Sequence, residues 1–144
     1  MDTGEIYALM NRNPAFHLAT MDGDTPRVRG MMLFEAGPDG VIFHSGVFKD
    51  VHRQILANPR VELCFNDYEN YVQIRINTTL QVVNDNDLKD RICEHPTREF
   101  LKKWRESGDL SDFYRDFIVY RTRGGKFAVW TMQTNFEPTT WLDL

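Results

Sequence analysis

Residues 26–59, PRVRGMMLFEAGPDGVIFHSGVFKDVHRQILANP, decide how the chain is read. A strand carrying Arg27 and Arg29 runs to a Gly37-Pro38-Asp39-Gly40 turn, and a second strand follows over 40–45. A polar break at His44-Ser45-Gly46 leads into a helix over 49–57, with Lys49 in its first turn, closed by Asn58-Pro59. This order gathers cationic side chains and free helix N–H groups at one place, which suits a phosphate-bearing ligand. Arg27 and Arg29 are two apart on a strand and share a face. Val28, Met32 and Phe34 are then expected to point to the core, with Gly30 marking a bulge or a close backbone approach.

Outward from this stretch the pattern is mostly β. A helix over 3–12, with Thr3 as its cap, precedes strands at 15–21, 27–35, 40–45, 60–66 and 71–83. The last has the clearest alternation, with Val72, Ile74, Ile76, Leu80 and Val82 on one face and Thr78 interrupting. Tyr71, Gln73, Arg75, Asn77, Thr79 and Gln81 form the other face, which could meet water, a partner subunit or a ligand. Residues 86–106 read as two helices divided by Pro96, and 108–112 as a polar linker. Residues 113–123 and 126–133 read as a hairpin around Gly124-Gly125, and RTRGGK at 121–126 as its solvated turn. Phe136, Trp141 and Leu142 are expected to dock the tail. Strands without crossover helices between them indicate an α+β antiparallel barrel rather than a doubly wound sheet.

Composition sets the frame. A chain of 144 residues suits a single domain, 1–144, large enough to hold a core without disulfides. A net charge of -4 argues against general nucleic-acid or membrane-surface binding. No signal peptide or 20-residue apolar span is evident, so a cytoplasmic location is the expectation. Cys64 and Cys93 read as reduced core-type residues. His17, His44, His52 and His95 lack metal-ligand spacing, although His44 and His52 flank the candidate anion site. GxSxG, GxGxxG and the Walker-type phosphate loop are absent. Trp130 and Trp141 read as core or interface filler.

In order and spacing, Phe16–Thr20 with its DG turn, PRVRGMMLF, GVIFHSG, FKDVHRQILANPRVELCF and YVQIRI resemble the pyridoxamine 5'-phosphate oxidase-like flavoproteins. The similarity is to the short branch related to nitroimidazole-resistance proteins, and it resumes at GGKFAVWTMQTNFEP. The resemblance implies a six-stranded antiparallel split β-barrel with flanking helices, homodimeric, with FMN in a groove between subunits. By position it implies Arg29 and Lys49 at the cofactor phosphate, and the backbone of Gly30, Met31 and Met32 along the flavin ring. It places His44 and Ser45 beside the ring and ribityl chain. Lys49 opens a K-x-V-x-x-Q-x-x-x-N-P pattern, here KDVHRQILANP.

The chain departs from the oxidase proper. Phe34 replaces a lysine, Asp50 and Val51 replace an Arg-Lys pair, and the RIxG pattern becomes Arg75-Ile76-Asn77. The long C-terminal substrate segment is missing, so vitamin B6 oxidase activity is not the expectation. Two functions follow: a small flavin-dependent oxidoreductase acting on a small molecule, or a non-catalytic flavin, deazaflavin or haem binding module.

Overall fold

A computed structural model describes residues 1–144. The elements run α1 (Thr3–Arg12), β1 (Ala15–Asp22), β2 (Thr25–Gly37), β3 (Gly40–Gly46), α2 (Asp50–Ala57), β4 (Arg60–Asp67) and β5 (Val72–Val83). They continue with α3 (Asn86–Glu94), a 3₁₀ turn (Pro96–Arg98), α4 (Glu99–Ser107), α5 (Phe113–Asp116), β6 (Phe117–Thr131) and β7 (Leu142–Asp143). Six antiparallel strands pair in the order β3-β2-β1-β4-β5-β6, and β6 returns to β3, so the sheet closes into a barrel. β7 adds a short outer strand on Lys126 and Phe127.

Alternation fills the barrel from all sides. Phe16, Leu18, Val41, Phe43, Leu63, Phe65, Ile74, Ile76 and Tyr120 point inward, each 2% exposed or less. Burying each such side chain is worth roughly 1.5–3 kcal/mol, so one inward-facing row supplies much of the fold's driving force. α1 adds Ile6, Leu9 and Met10 to this core, and α2 adds Val51 and Ile55. Asp2, not Thr3, caps α1, in a capping box with Glu5. Asn11 then pins α1 to β2 through two hydrogen bonds to the Ala36 backbone, at 2.9 and 3.0 Å.

A second, smaller core lies outside the barrel wall. Ile42 and Val119, on the outer face of β3 and β6, pack against Leu88, Ile92, Leu101 and Phe113 of the helices. Cys93 is buried there and Cys64 is half-buried; both are free thiols. No helix is long and apolar enough to cross a membrane.

Three expectations are corrected. Gly124 and Gly125 do have positive φ, 58° and 114°, but they bend one continuous strand instead of reversing it. Both halves of β6 pair with β5, and the ladder slips between Asn77 and Thr79 to absorb the extra residues. Thr78, which interrupts the apolar face of β5, is buried at that slip, and its hydroxyl donates to the Gly124 carbonyl at 2.7 Å. Secondly, β2 has the opposite facing from that expected. Val28 and Met32 are 69% and 47% exposed, whereas Leu33 is buried, and a bulge between Leu33 and Glu35 resets the phase so that Ala36 is buried too. Thirdly, Phe136 is 98% exposed, although Trp141 receives the Arg75 guanidinium over its ring at 5.2 Å.

Candidate functional site

β2 and β3 pair only from Leu33 and Phe43 back to the Gly37–Gly40 turn. Beyond Leu33 the two strands separate, because β3 continues along β6 while β2 stays with β1. The gap between them is the barrel's split. Two clefts occupy it, one of about 450 Å³ and one of about 630 Å³, sharing Gly30, Met31, Ser45 and Lys49 in their walls. They form one groove with an apolar end and a cationic end.

The groove brings together all seven residues expected to form a site. Arg29 lines the cationic end, Met32 and His44 line the apolar end, and the four shared residues lie between. Lys49 is the N-cap of α2 rather than a first-turn residue, and no side chain caps that helix. Its first N–H groups therefore lack a side-chain acceptor, and the helix dipole adds positive potential there. The two carboxylates at this end are engaged elsewhere. Asp22 pairs with Arg53 at 3.1 Å and with Arg27 at 3.6 Å, and Asp50 lies 3.9 Å from Arg53. The hydrogen bond from Arg53 is the main reason the Asp22 carboxyl is held below its usual range.

Arg29 turns inward because β2 has the facing described above. Its guanidinium donates to Gln54 Oε1 at 2.6 Å, Thr20 Oγ1 at 2.7 Å and the Leu18 carbonyl at 3.2 Å. All three acceptors are neutral. Partial burial lowers its pKa, only partly offset by the charge of Asp50. Arg29 and Lys49 are thus two cations on one groove with no carboxylate in direct contact. Between the strands, a Cβ built on Gly30 would meet nothing within 4 Å, so that wall is open to a flat group.

At the apolar end the helices supply Phe100, Leu101, Trp104 and Phe113, and the β3–α2 loop supplies Phe48. The loop is tied down where the Val47 amide donates to the Asp116 carbonyl at 2.9 Å. His44 accepts a hydrogen bond on Nε2 from Nε of Arg98 at 3.0 Å. Burial, with the adjacent Arg98 charge second, pushes the His44 pKa down to about 4, so the ring is neutral at pH 7. Arg98 is itself buried and also donates to the Leu33 carbonyl at 2.8 Å.

Reading the sequence missed Arg98, Gln54 and the aromatic face of α4. Gln54 stands in the KDVHRQILANP stretch, so its position was marked although its bond to Arg29 was not. Nothing near Pro96 signals that Arg98 reaches back to the barrel. His52 does not face the groove; it turns inward, with Nδ1 2.7 Å from the Tyr120 hydroxyl. His17 is exposed on the outer face of β1; of the 121–126 run expected as a solvated turn, Arg123–Lys126 are exposed at a bend, whereas Thr122 is buried and Arg121 half-buried.

Comparison with known proteins agrees with this architecture. The sequence matches the family described as Pyridoxamine 5'-phosphate oxidase over residues 2–123. A pyridoxine/pyridoxamine 5'-phosphate oxidase of Rhodopseudomonas palustris (strain BisB5) is 28% identical over 96 residues, 66% of this chain. The match spans only 45% of that protein's length. A NimC/NimA family protein of Clostridium acetobutylicum superposes with a TM-score of 0.76 at 21% identity, over 98% of this chain and 92% of that one. A pyridoxamine 5'-phosphate oxidase-related, FMN binding protein of Nostoc punctiforme superposes with a TM-score of 0.64 at 14% identity, over 98% and 95%. The chain belongs to the pyridoxamine 5'-phosphate oxidase-like split-barrel family.

Proposed function

We propose that the chain binds FMN in this groove and acts as a small flavin-dependent oxidoreductase on a small molecule. The observation that carries the reading is the pair of cations, Arg29 and Lys49, that meet at the uncapped start of α2 without carboxylate contacts. A dianionic phosphate supplies the missing counter-charge and accepts the free N–H groups. Gln54 and Thr20 fix the Arg29 fork, so little ordering remains to be done when the phosphate arrives. Gly30, Met31 and Met32 give the flavin ring a wall without a side chain at its centre, and Ser45 and His44 face it from β3.

When bound, the flavin supplies the electron-transfer chemistry, and the chain's work is to hold, orient and shield it. His44, neutral at pH 7, is held in place on that wall by the bond from Arg98 to its Nε2. The apolar walls of Phe113 and Phe117 keep water from the same end. The outer face of β2 carries Val28 and Met32, both exposed, beside this groove. That face supports a homodimer in which a second copy completes the groove.

Lys49→Ala is the sharpest single test of the phosphate end. Its FMN dissociation constant, read from quenching of flavin fluorescence, is expected to rise about tenfold, or about 1.4 kcal/mol. An unchanged titration would remove Lys49 from the site.

A further inference from the structure

The helices between β5 and β6 wall the apolar end of the groove with side chains outside the seven assigned to FMN. α4 presents Phe100 and Trp104, 47% and 50% exposed, with rings edge to face at 5.7 Å. They line the apolar cleft of about 450 Å³ together with Phe48, Leu110, Phe113 and Phe117. Two acidic residues border this end, Asp109 and Asp116, and the Asp116 carboxylate already accepts from Arg115 Nε at 3.0 Å. Lys49, the cation of this cleft, is taken by the phosphate in the flavin reading above, so a further ion brought among these rings would lose hydration without gaining an equal partner.

One polar group of the chamber has a defined direction of hydrogen bonding. Because His44 Nε2 accepts from Arg98, the neutral imidazole carries its proton on Nδ1, which has no partner within the chain. Arg98 is 5% exposed and is held by the Thr97 hydroxyl and the Leu33 carbonyl, with no carboxylate. Its positive charge behind the ring strengthens Nδ1–H as a donor. Flat aromatic walls with a single fixed donor define what fits.

The geometry points to a planar, uncharged aromatic molecule with a hydrogen-bond-accepting atom as the ligand of this chamber. It packs on Phe100 and Trp104 and accepts Nδ1–H of His44, with Arg98 as the positioning residue. As a substrate class, this rests on the flavin reading above.

The test uses the FMN-loaded protein and calorimetric titration with 1,4-naphthoquinone, with naphthalene as the matched hydrocarbon lacking the acceptor. Naphthoquinone is expected to bind at least about tenfold tighter, the size of one well-placed hydrogen bond. Arg98→Met is expected to erase that preference while leaving naphthalene and FMN affinities within about twofold. Phe100→Ala and Trp104→Ala, on half-exposed side chains that carry the test if Arg98→Met fails to fold, weaken both probes about tenfold and leave FMN unchanged. Equal binding of the two probes overturns the proposal. So does a parallel loss of FMN in Trp104→Ala, which makes the wall a flavin seat, or a loss of dimer with unchanged probe affinity. FMN binding without probe binding overturns this inference alone, whereas failure to bind FMN fells the proposed function with it.

Discussion

The Arg29→Gln, Lys49→Gln double variant is expected to bind FMN at least about a hundredfold more weakly than the unsubstituted protein. Hydrogen bonds to charged groups contribute roughly 1.5–3 kcal/mol each, so losing two costs about 3 kcal/mol or more. The effect should exceed that of Lys49→Ala because the helix N-terminus alone then faces the phosphate. Glutamine at position 29 retains a donor for Thr20 or Gln54, which limits the damage to the barrel. Unchanged far-ultraviolet circular dichroism would separate lost binding from lost folding. A folded double variant with native FMN affinity would show that the cationic end of the groove is not a phosphate site.

Gly125→Ala is expected to have the largest effect on stability of any single change named here. Gly125 has φ 114°, and an added Cβ would lie 2.4 Å from the Asn77 carbonyl oxygen and 2.9 Å from Thr78 Cβ. Both obstacles belong to the β5 ladder, so relief requires the strands to part. The combined strain and clash should cost about 3 kcal/mol or more, lowering the melting temperature by roughly 10 °C. Gly124 is the internal control. Its φ is 58° and a Cβ there meets nothing within 4 Å, so Gly124→Ala should cost only about 1–2 kcal/mol. Equal melting temperatures for the two variants would contradict the role given to Gly125 at the bend.

The same residues explain how far the chain could be read from sequence. The alternation of 71–83 and the GPDG turn report local geometry directly, and β5 and the β2–β3 connection follow. Gly124-Gly125 reads as a reversal, but its two positive-φ residues bend a strand that continues. Whether such a pair turns the chain or bends it depends on the strand alongside, and β5 runs past both halves. The facing of β2 was inverted for a related reason. Val28 and Met32 are apolar, yet they lie on the outer wall, while Arg29 is drawn inward by the oxygens of Thr20 and Gln54. Those partners come from β1 and α2, so no periodicity within β2 could reveal them. The seven candidate residues meet on one groove because β2, β3 and the start of α2 are adjacent in sequence and in space. Arg98 was not legible from sequence, because it reaches His44 across 54 residues of chain.

The most direct measurement compares FMN with riboflavin on the wild-type protein by fluorescence titration. Riboflavin keeps the ring and ribityl chain and lacks only the phosphate, so the ratio of the two affinities isolates the cationic end of the groove. FMN is expected to bind at least about a hundredfold tighter, the same two charged contacts now removed from the ligand side. Equal affinities, or no binding of either flavin, would contradict the assignment of this groove to a flavin phosphate.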